Sequence, residues 1–273
     1  MPVIPDQSSG HGLTDRSPVH PRDGIDLNAD LGEGSIQGGG GVDERLLPWV
    51  SSVNIACGLH AGDPVTAAAT IRLALAQGVA LGAHPGWPDR EGFGRKSQTH
   101  PPAETRAIVA YQLGALGALV QEAGGRLHHV KPHGALYHQA LRDPAYAIPL
   151  VEVIVRFDPE LWLYAPQPSV LATIAGAHGL RVAAEGFADR RYETDGTLTP
   201  RDRPDALIDD PEEALRQVTG IVREAIVVGR SGERIPCTAL TIGLHGDGSQ
   251  AVDLARRLAE GLRASGISIR APV

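Results

Sequence analysis

The sequence predicts an α/β fold: a single (βα)-repeat barrel of about seven parallel strands. Seven short apolar runs recur along the chain, each is followed by a loop rich in Gly, His or acidic residues, and helical patterns fill the intervals. No Pro/Ser-rich linker interrupts 24–273, so these repeats fit one barrel-like catalytic domain better than two domains. An open doubly wound sheet is the competing topology.

The strands are expected at Gly24 to Asn28, Ser52 to Cys57, Val79 to His84, Leu127 to Lys131, Leu161 to Ala165, Arg181 to Glu185 and Ala239 to His245. Between them, Pro64 to Gln77 ends at Gly78 and Pro102 to Glu122 ends at Gly124 and Gly125, the proline-first, glycine-last asymmetry of helices. Asp63 and Asp210 are placed to cap Pro64 to Gln77 and Pro211 to Val228, and Gln250 to Ala264 forms a last helix before Gly266. Residues 1–23 carry prolines, serines and charges but no apolar signal core, and are expected to be a disordered extension.

Composition narrows the function. The chain of 273 residues has 25 Lys plus Arg against 32 Asp plus Glu, and its net charge of -7 argues against electrostatic nucleic-acid binding. The longest apolar stretch, Ala107 to Val120, is broken by Gln112 and by glycines, so no membrane span is expected. Cys57 and Cys237 form no C-x-x-C pair and read as reduced thiols of a cytoplasmic protein. Only Lys96 and Lys131 escape the preference for arginine, which marks them as positions where a planar, forked guanidinium does not serve.

Chemistry-bearing residues gather at the ends of the expected strands. Asp26, Asn28, Asp30 and Glu33 end or follow the first; Asn54, His60 and Asp63 the second; His84 the third; Lys131 and His133 the fourth; Glu185, Asp189 and Arg190 the sixth; His245 and Asp247 the seventh. In parallel α/β folds those ends form the catalytic face. The string from Asp26 to Gln37 is not a calcium loop, since Leu31 stands where Gly is required and Gln37 where Glu is. In a strand Asp26, Asn28 and Asp30 share a face, where paired carboxylates suit acid or base work. His129, Lys131 and His133 alternate onto one face, but His129 and His133 are too far apart along a strand for an H-x-x-x-H zinc site. Lys131 suits a carboxylate or a developing oxyanion, His133 a proton carrier, and Arg190 a substrate carboxylate. No P-loop or dinucleotide fingerprint is present.

The strings Asp26-Leu-Asn-Ala-Asp-Leu-Gly-Glu-Gly, Asn54-Ile-Ala-Cys-Gly-Leu-His-Ala-Gly-Asp-Pro, Gly82-Ala-His-Pro-Gly, Val130-Lys-Pro-His-Gly-Ala-Leu-Tyr, Phe187-Ala-Asp-Arg-Arg-Tyr and His245-Gly-Asp, in order from about Gly24 to Ile267, resemble the LamB/YcsF family, A subunits of bacterial ATP-dependent 5-oxoprolinase. Ala29, Leu59 and the glycine-rich Ser35 to Gly41 depart from the family pattern.

The resemblance implies a barrel related to the glycoside hydrolase/deacetylase superfamily. It also implies opening of the lactam 5-oxoproline to L-glutamate with ATP hydrolysis, together with subunits B and C. ATP is then a co-substrate held by a partner chain. Candidate catalytic residues are Asp26, Asp30, Glu185, Lys131, His133 and His245; candidate substrate contacts are Asn28, His60, His84, Arg190 and Asp247. A divalent metal and homo-oligomerisation are left open. The alternatives are a metal-dependent deacetylase or sugar hydrolase acting alone, and a non-catalytic scaffold subunit.

Overall fold

Each expected strand forms, because each pairs a β-prone apolar run with a turn residue at its end. In a computed structural model, residues 24–34, 41–244 and 251–273 are described. The strands in chain order are β1 (Gly24–Leu31), β2 (Ser52–Ala56), β3 (Ala80–His84), β4 (Leu127–Val130), β5 (Trp162–Ala165), β6 (Arg181–Phe187), β7 (Ile226–Val228), β8 (Arg234–Pro236), β9 (Thr241–Leu244) and β10 (Ser268–Ile269). β1 to β6 and β9 run parallel in that order, and β1 also pairs with β9, Asp26 opposite Thr241 and Ala29 opposite Leu244. That pairing closes a seven-stranded barrel and excludes the open sheet. The extension at 1–23, His245 and Asp247 lie outside the described residues.

The helices are α1 (Gly41–Leu46), α2 (Pro64–Ala76), α3 (Pro102–Glu122), α4 (Gly134–Ala140), α5 (Pro144–Phe157), α6 (Val170–Ala177), α7 (Pro211–Glu224) and α8 (Ala251–Ala264). Asp63 caps α2 by accepting from the backbone N–H groups of Val65 and Thr66, and Asp210 caps α7 through Glu212. In α8 the buried residues Ala251, Ala255, Leu258, Ala259 and Leu262 fall on one stripe that packs toward the barrel. The expected helix Pro211 to Val228 is shorter than its apolar pattern. Ala225 adopts a left-handed backbone (φ 54°) that ends α7, and Ile226 to Val228 then pair with β8 as an antiparallel ribbon.

Side chains alternate across the barrel wall with an unusual outcome. Ile25, Leu27, Ala29 and Leu31 of β1 are buried in the apolar cluster that includes inner faces of the helices, as are Val53 and Ile55 of β2. The other parity points into the barrel and is largely polar: Asp26, Asn28 and Asp30 from β1, Ser52 and Asn54 from β2, His129 from β4, Glu185 from β6 and Thr241 from β9, all buried. Parallel barrels ordinarily fill this space with branched apolar residues. Here the apolar core lies outside the barrel and a hydrogen-bonded polar column lies within it.

Gly82 makes room for that column. A Cβ there would lie 2.0 Å from His129 Nε2 on the neighbouring strand. Gly82→Ala is expected to lose about 1–3 kcal/mol or more by overpacking. Gly114→Ala, on the exposed side of α3 with nothing within 4 Å of its Cβ, is expected to gain roughly 0.5–1 kcal/mol. Urea unfolding of the two variants checks the contrast; equal effects contradict this packing of His129.

Candidate active site

The polar column is built in layers. At the closed end, Asp26 accepts hydrogen bonds from Ser51 Oγ (2.6 Å), Ser52 Oγ (2.8 Å) and Thr241 Oγ1 (2.6 Å). Burial raises its pKa, against the lowering effect of these hydroxyls. Asp26, expected as a catalytic residue, does not line the cavity described below: its register puts it at the closed end, beneath both the middle layer and the mouth.

The middle layer is a network around one cation. Lys131 follows β4, and its Nζ lies 3.1 Å from Asp30 Oδ1, 3.0 Å from Glu185 Oε1 and 3.0 Å from Asn28 Oδ1. Three acceptors use the three hydrogens of an ammonium. Burial lowers the Lys131 pKa, but Asp30 and Glu185 outweigh it and hold the amine charged. Asn28, expected as a substrate contact, also accepts from Asn54 and donates to Glu185 Oε1 (3.2 Å) and Thr241 Oγ1 (2.7 Å), and it does not line the cavity described below. Tyr137 of α4 donates to Glu185 Oε2 at 2.6 Å. Lys96, in contrast, is exposed on the loop before α3, so the reading of two special lysines holds for Lys131 alone.

Below this network His129 stacks on Tyr164 at 3.9 Å between ring centroids, and its Nε2 donates to Asn54 Oδ1 at 2.7 Å. Burial, then His128 and Lys131, pushes its pKa well down. It sits inside the barrel and not in the mouth, which agrees with the expectation that it does not share a metal with His133.

The mouth gathers Asp30, Glu33, His84 and His133. His84 ends β3, Glu33 follows the turn at Gly32 after β1, and His133 precedes α4. His84 Nε2 is 3.4 Å from Asp30 Oδ2 and 2.9 Å from His133 Nδ1, while Glu33 Oε1 is 3.5 Å from His133 Nδ1. Burial pushes His84 down, but the carboxylates of Asp30 and Glu33 outweigh it and its pKa is raised. Burial, then His84, brings His133 down to about 3. His60 lies one layer behind, stacked on His133 at 3.9 Å, and burial holds it neutral. Gly94 has a left-handed backbone (φ 65°), and a Cβ there would lie 2.8 Å from His60 Cβ, so this glycine lets the β3–α3 loop close over the rings. Gln112 of α3 anchors the start of that loop through both backbone groups of Gly86. Glu33, His60, His84 and His133 together present four ligand atoms within 4.8 Å of one another, a cluster able to hold a metal ion.

These groups open into a cavity of about 420 Å³ at the C-terminal ends of the strands. Asp30, Glu33, His84, Lys131 and His133 line one side; Arg95, Arg142, Arg190 and Arg201 also contribute to its wall. Arg190 is 3% exposed and its Nε makes no hydrogen bond among the described residues. Burial, then Arg201, lowers it to about 10.

The LamB/YcsF family model matches residues 25–273. The chain belongs to the LamB/YcsF family. Within the family it is similar to the 5-oxoprolinase A subunit of Methylococcus capsulatus, 54% identical over 90% of this chain and 95% of that protein, and to the corresponding A subunit of Geobacillus kaustophilus, 48% identical over 91% and 96%. It is also similar to the crystal structure of the lactam utilization protein from Thermus thermophilus, with 42% identity, a TM-score of 0.87, and coverage of 91% of this chain and all of that one. In this LamB/YcsF member the strand-end residues Asp30, His84, Lys131, His133 and Arg190 line the cavity and Glu185 pairs with Lys131 beneath it, while the sequence reading passed over Glu33 as a member of the cluster with His60, His84 and His133, and Tyr137 altogether. Tyr137 had a signal: it falls one helical turn beyond His133.

Removing the cation while keeping its stem, Lys131→Met, leaves Asp30 and Glu185 facing each other in a buried layer. Urea unfolding is expected to show a loss of about 3–5 kcal/mol; a loss under 1 kcal/mol contradicts the network. His129 adds a pH dependence. Its folded pKa lies below the ordinary histidine value of 6.5, so as pH falls below that value the unfolded chain binds a proton that the folded chain refuses, and stability is lost. Between pH 6 and 5, His129→Asn is expected to flatten the stability slope by about 1.4 kcal/mol per pH unit at most. An unchanged slope contradicts a neutral His129.

Proposed function

We propose that this chain is the A subunit of an ATP-dependent 5-oxoprolinase and opens the lactam of 5-oxoproline to give L-glutamate. The observation that carries the reading is 54% identity, over nine-tenths of the chain, to a protein named as the A subunit of 5-oxoprolinase. The mouth is chemically suited to it. A small cyclic amide bearing a carboxylate needs a cationic group for the carboxylate and acid–base groups at the amide, and Arg190 and the Asp30, His84 and His133 cluster meet these needs from a shared cavity.

A five-membered lactam is a poor electrophile, and this chain carries no P-loop. We therefore assign ATP to partner subunits B and C. Phosphoryl transfer to the lactam oxygen makes the ring carbon electrophilic. Water adds to that carbon, giving its proton to Asp30 or to an imidazole of the mouth. The C–N bond breaks with the nitrogen leaving as the α-amine, and a second water releases inorganic phosphate from the acyl phosphate. Lys131, with its three hydrogens held, keeps the side chains of Asp30 and Glu185 in place. Glu185 and Asp26 lie beneath the cavity lining, which narrows the candidate base to Asp30, Glu33 and the imidazoles. Residues 24–273 act as one unit, and the free thiols of Cys57 and Cys237 suit the cytoplasm. Among the described residues no helix is long and apolar enough to cross a membrane.

Turnover of 5-oxoproline with ATP is expected only when this chain is combined with both partners, and in neither component alone. ATP-independent release of acetate from an N-acetyl sugar by this chain alone would favour the deacetylase reading instead. In the complete complex, Arg190→Gln is expected to raise KM for 5-oxoproline about 10- to 100-fold, with a smaller effect on kcat. An unchanged KM removes Arg190 from substrate binding.

A further inference from the structure

Two imidazoles in the mouth have their tautomers set from behind. His84 Nδ1 lies 2.7 Å from the carbonyl oxygen of Lys131, and His133 Nε2 lies 2.8 Å from that of Phe93. A carbonyl oxygen only accepts, so both of these nitrogens carry the hydrogen of their ring. In the neutral rings the remaining nitrogens, His84 Nε2 and His133 Nδ1, are bare lone pairs, and they face each other across 2.9 Å. Two lone pairs at that distance repel unless a positive centre is shared between them.

The surroundings favour a metal ion as that centre. Glu33 Oε1 stands 3.5 Å from His133 Nδ1 and 4.0 Å from His84 Nε2. Ligand atoms of a tetrahedral site with bonds of about 2.0–2.2 Å are roughly 3.3–3.5 Å apart, close to this triangle. The two rings are nearly perpendicular, at 85°, so their in-plane lone pairs converge from different directions. The backbone carbonyls behind them are the outer-shell acceptors that orient metal-bound histidines. Alongside, His60 is 1% exposed, its two ring nitrogens have no hydrogen bond among the described residues, and its Nε2 is 3.6 Å from Glu33 Oε1. Its plane is parallel to that of His133, so it joins the same centre only after turning its ring.

We propose that Glu33, His84 and His133 form a binding site for a divalent transition-metal ion of the zinc class, with a fourth position open toward the cavity. All three residues line that cavity, and two imidazoles with one carboxylate are a ligand set suited to zinc with one position left over. The site rests on ring geometry and stands whether or not the substrate is a lactam.

The test is metal binding by the full chain. Protein purified without chelators is expected to contain close to one zinc-class ion per chain by elemental analysis. After removal by chelator, Co²⁺ is expected to restore one equivalent with the visible absorption of a four- or five-coordinate N/O site. Glu33→Gln and His133→Ala, checked for folding by circular dichroism, are expected to weaken Co²⁺ binding at least tenfold. His100→Ala, which removes a half-buried histidine outside the mouth that pairs with Glu104, is expected to bind as the wild type does. If the wild-type chain takes up neither Zn²⁺ nor Co²⁺ at micromolar concentration, or if the mouth variants bind as well as wild type, the proposal is overturned and the His84–His133 contact is a shared proton.

Discussion

The ammonium of Lys131, held among Asp30, Glu185 and Asn28, is the contact on which the barrel interior depends. Seven strands close around a column of polar side chains where apolar filling is the rule, and a column containing two facing carboxylates needs a buried positive charge. Lysine suits the place because its three hydrogens radiate from one small atom, whereas the flat fork of arginine meets a carboxylate edge-on. A chain that otherwise uses arginine almost everywhere keeps lysine here. Through Asp30 the same charge reaches His84, and through His84 it reaches His133 and Glu33, so the interior of the barrel and the chemistry of its mouth are one electrostatic system.

That system also has a depth, which shows when the strands are seen in register. Asp26, Asn28 and Asp30 do share a face, as their alternate spacing requires, but a barrel has depth as well as faces. Asp26 sits among hydroxyls at the closed end, Asn28 links the middle layer, and Asp30 reaches the cavity. Sequence spacing reports the face and says nothing of the level, which is set by how far each strand is staggered against the next.

The strands were legible because each apolar run stops at Gly, His or Pro. Several helices were not. α5 contains Pro149, α6 is almost wholly apolar and so lacks a polar side to give it a period, and α4 is only seven residues long. The end of α7 was hidden for another reason: the left-handed residue that stops it is Ala225 and not the usual glycine, so its apolar pattern runs on unmarked into β7. In the site, His84, Lys131 and His133 were legible from their strand ends. Glu33 lay in view between Gly32 and Gly34, but its partnership with two histidines from other loops depends on barrel closure, which no local pattern encodes.

The proposed function puts recognition and chemistry in one cavity at the C-terminal mouth, with the polar column beneath it as support. A crystal structure of the chain with 5-oxoproline bound tests this most directly. The ligand carboxylate is expected against Arg190, with its ring amide facing Asp30, His84 and His133. A ligand seated instead in the smaller cavity beside Cys57 and Tyr111, with the mouth empty, would contradict it.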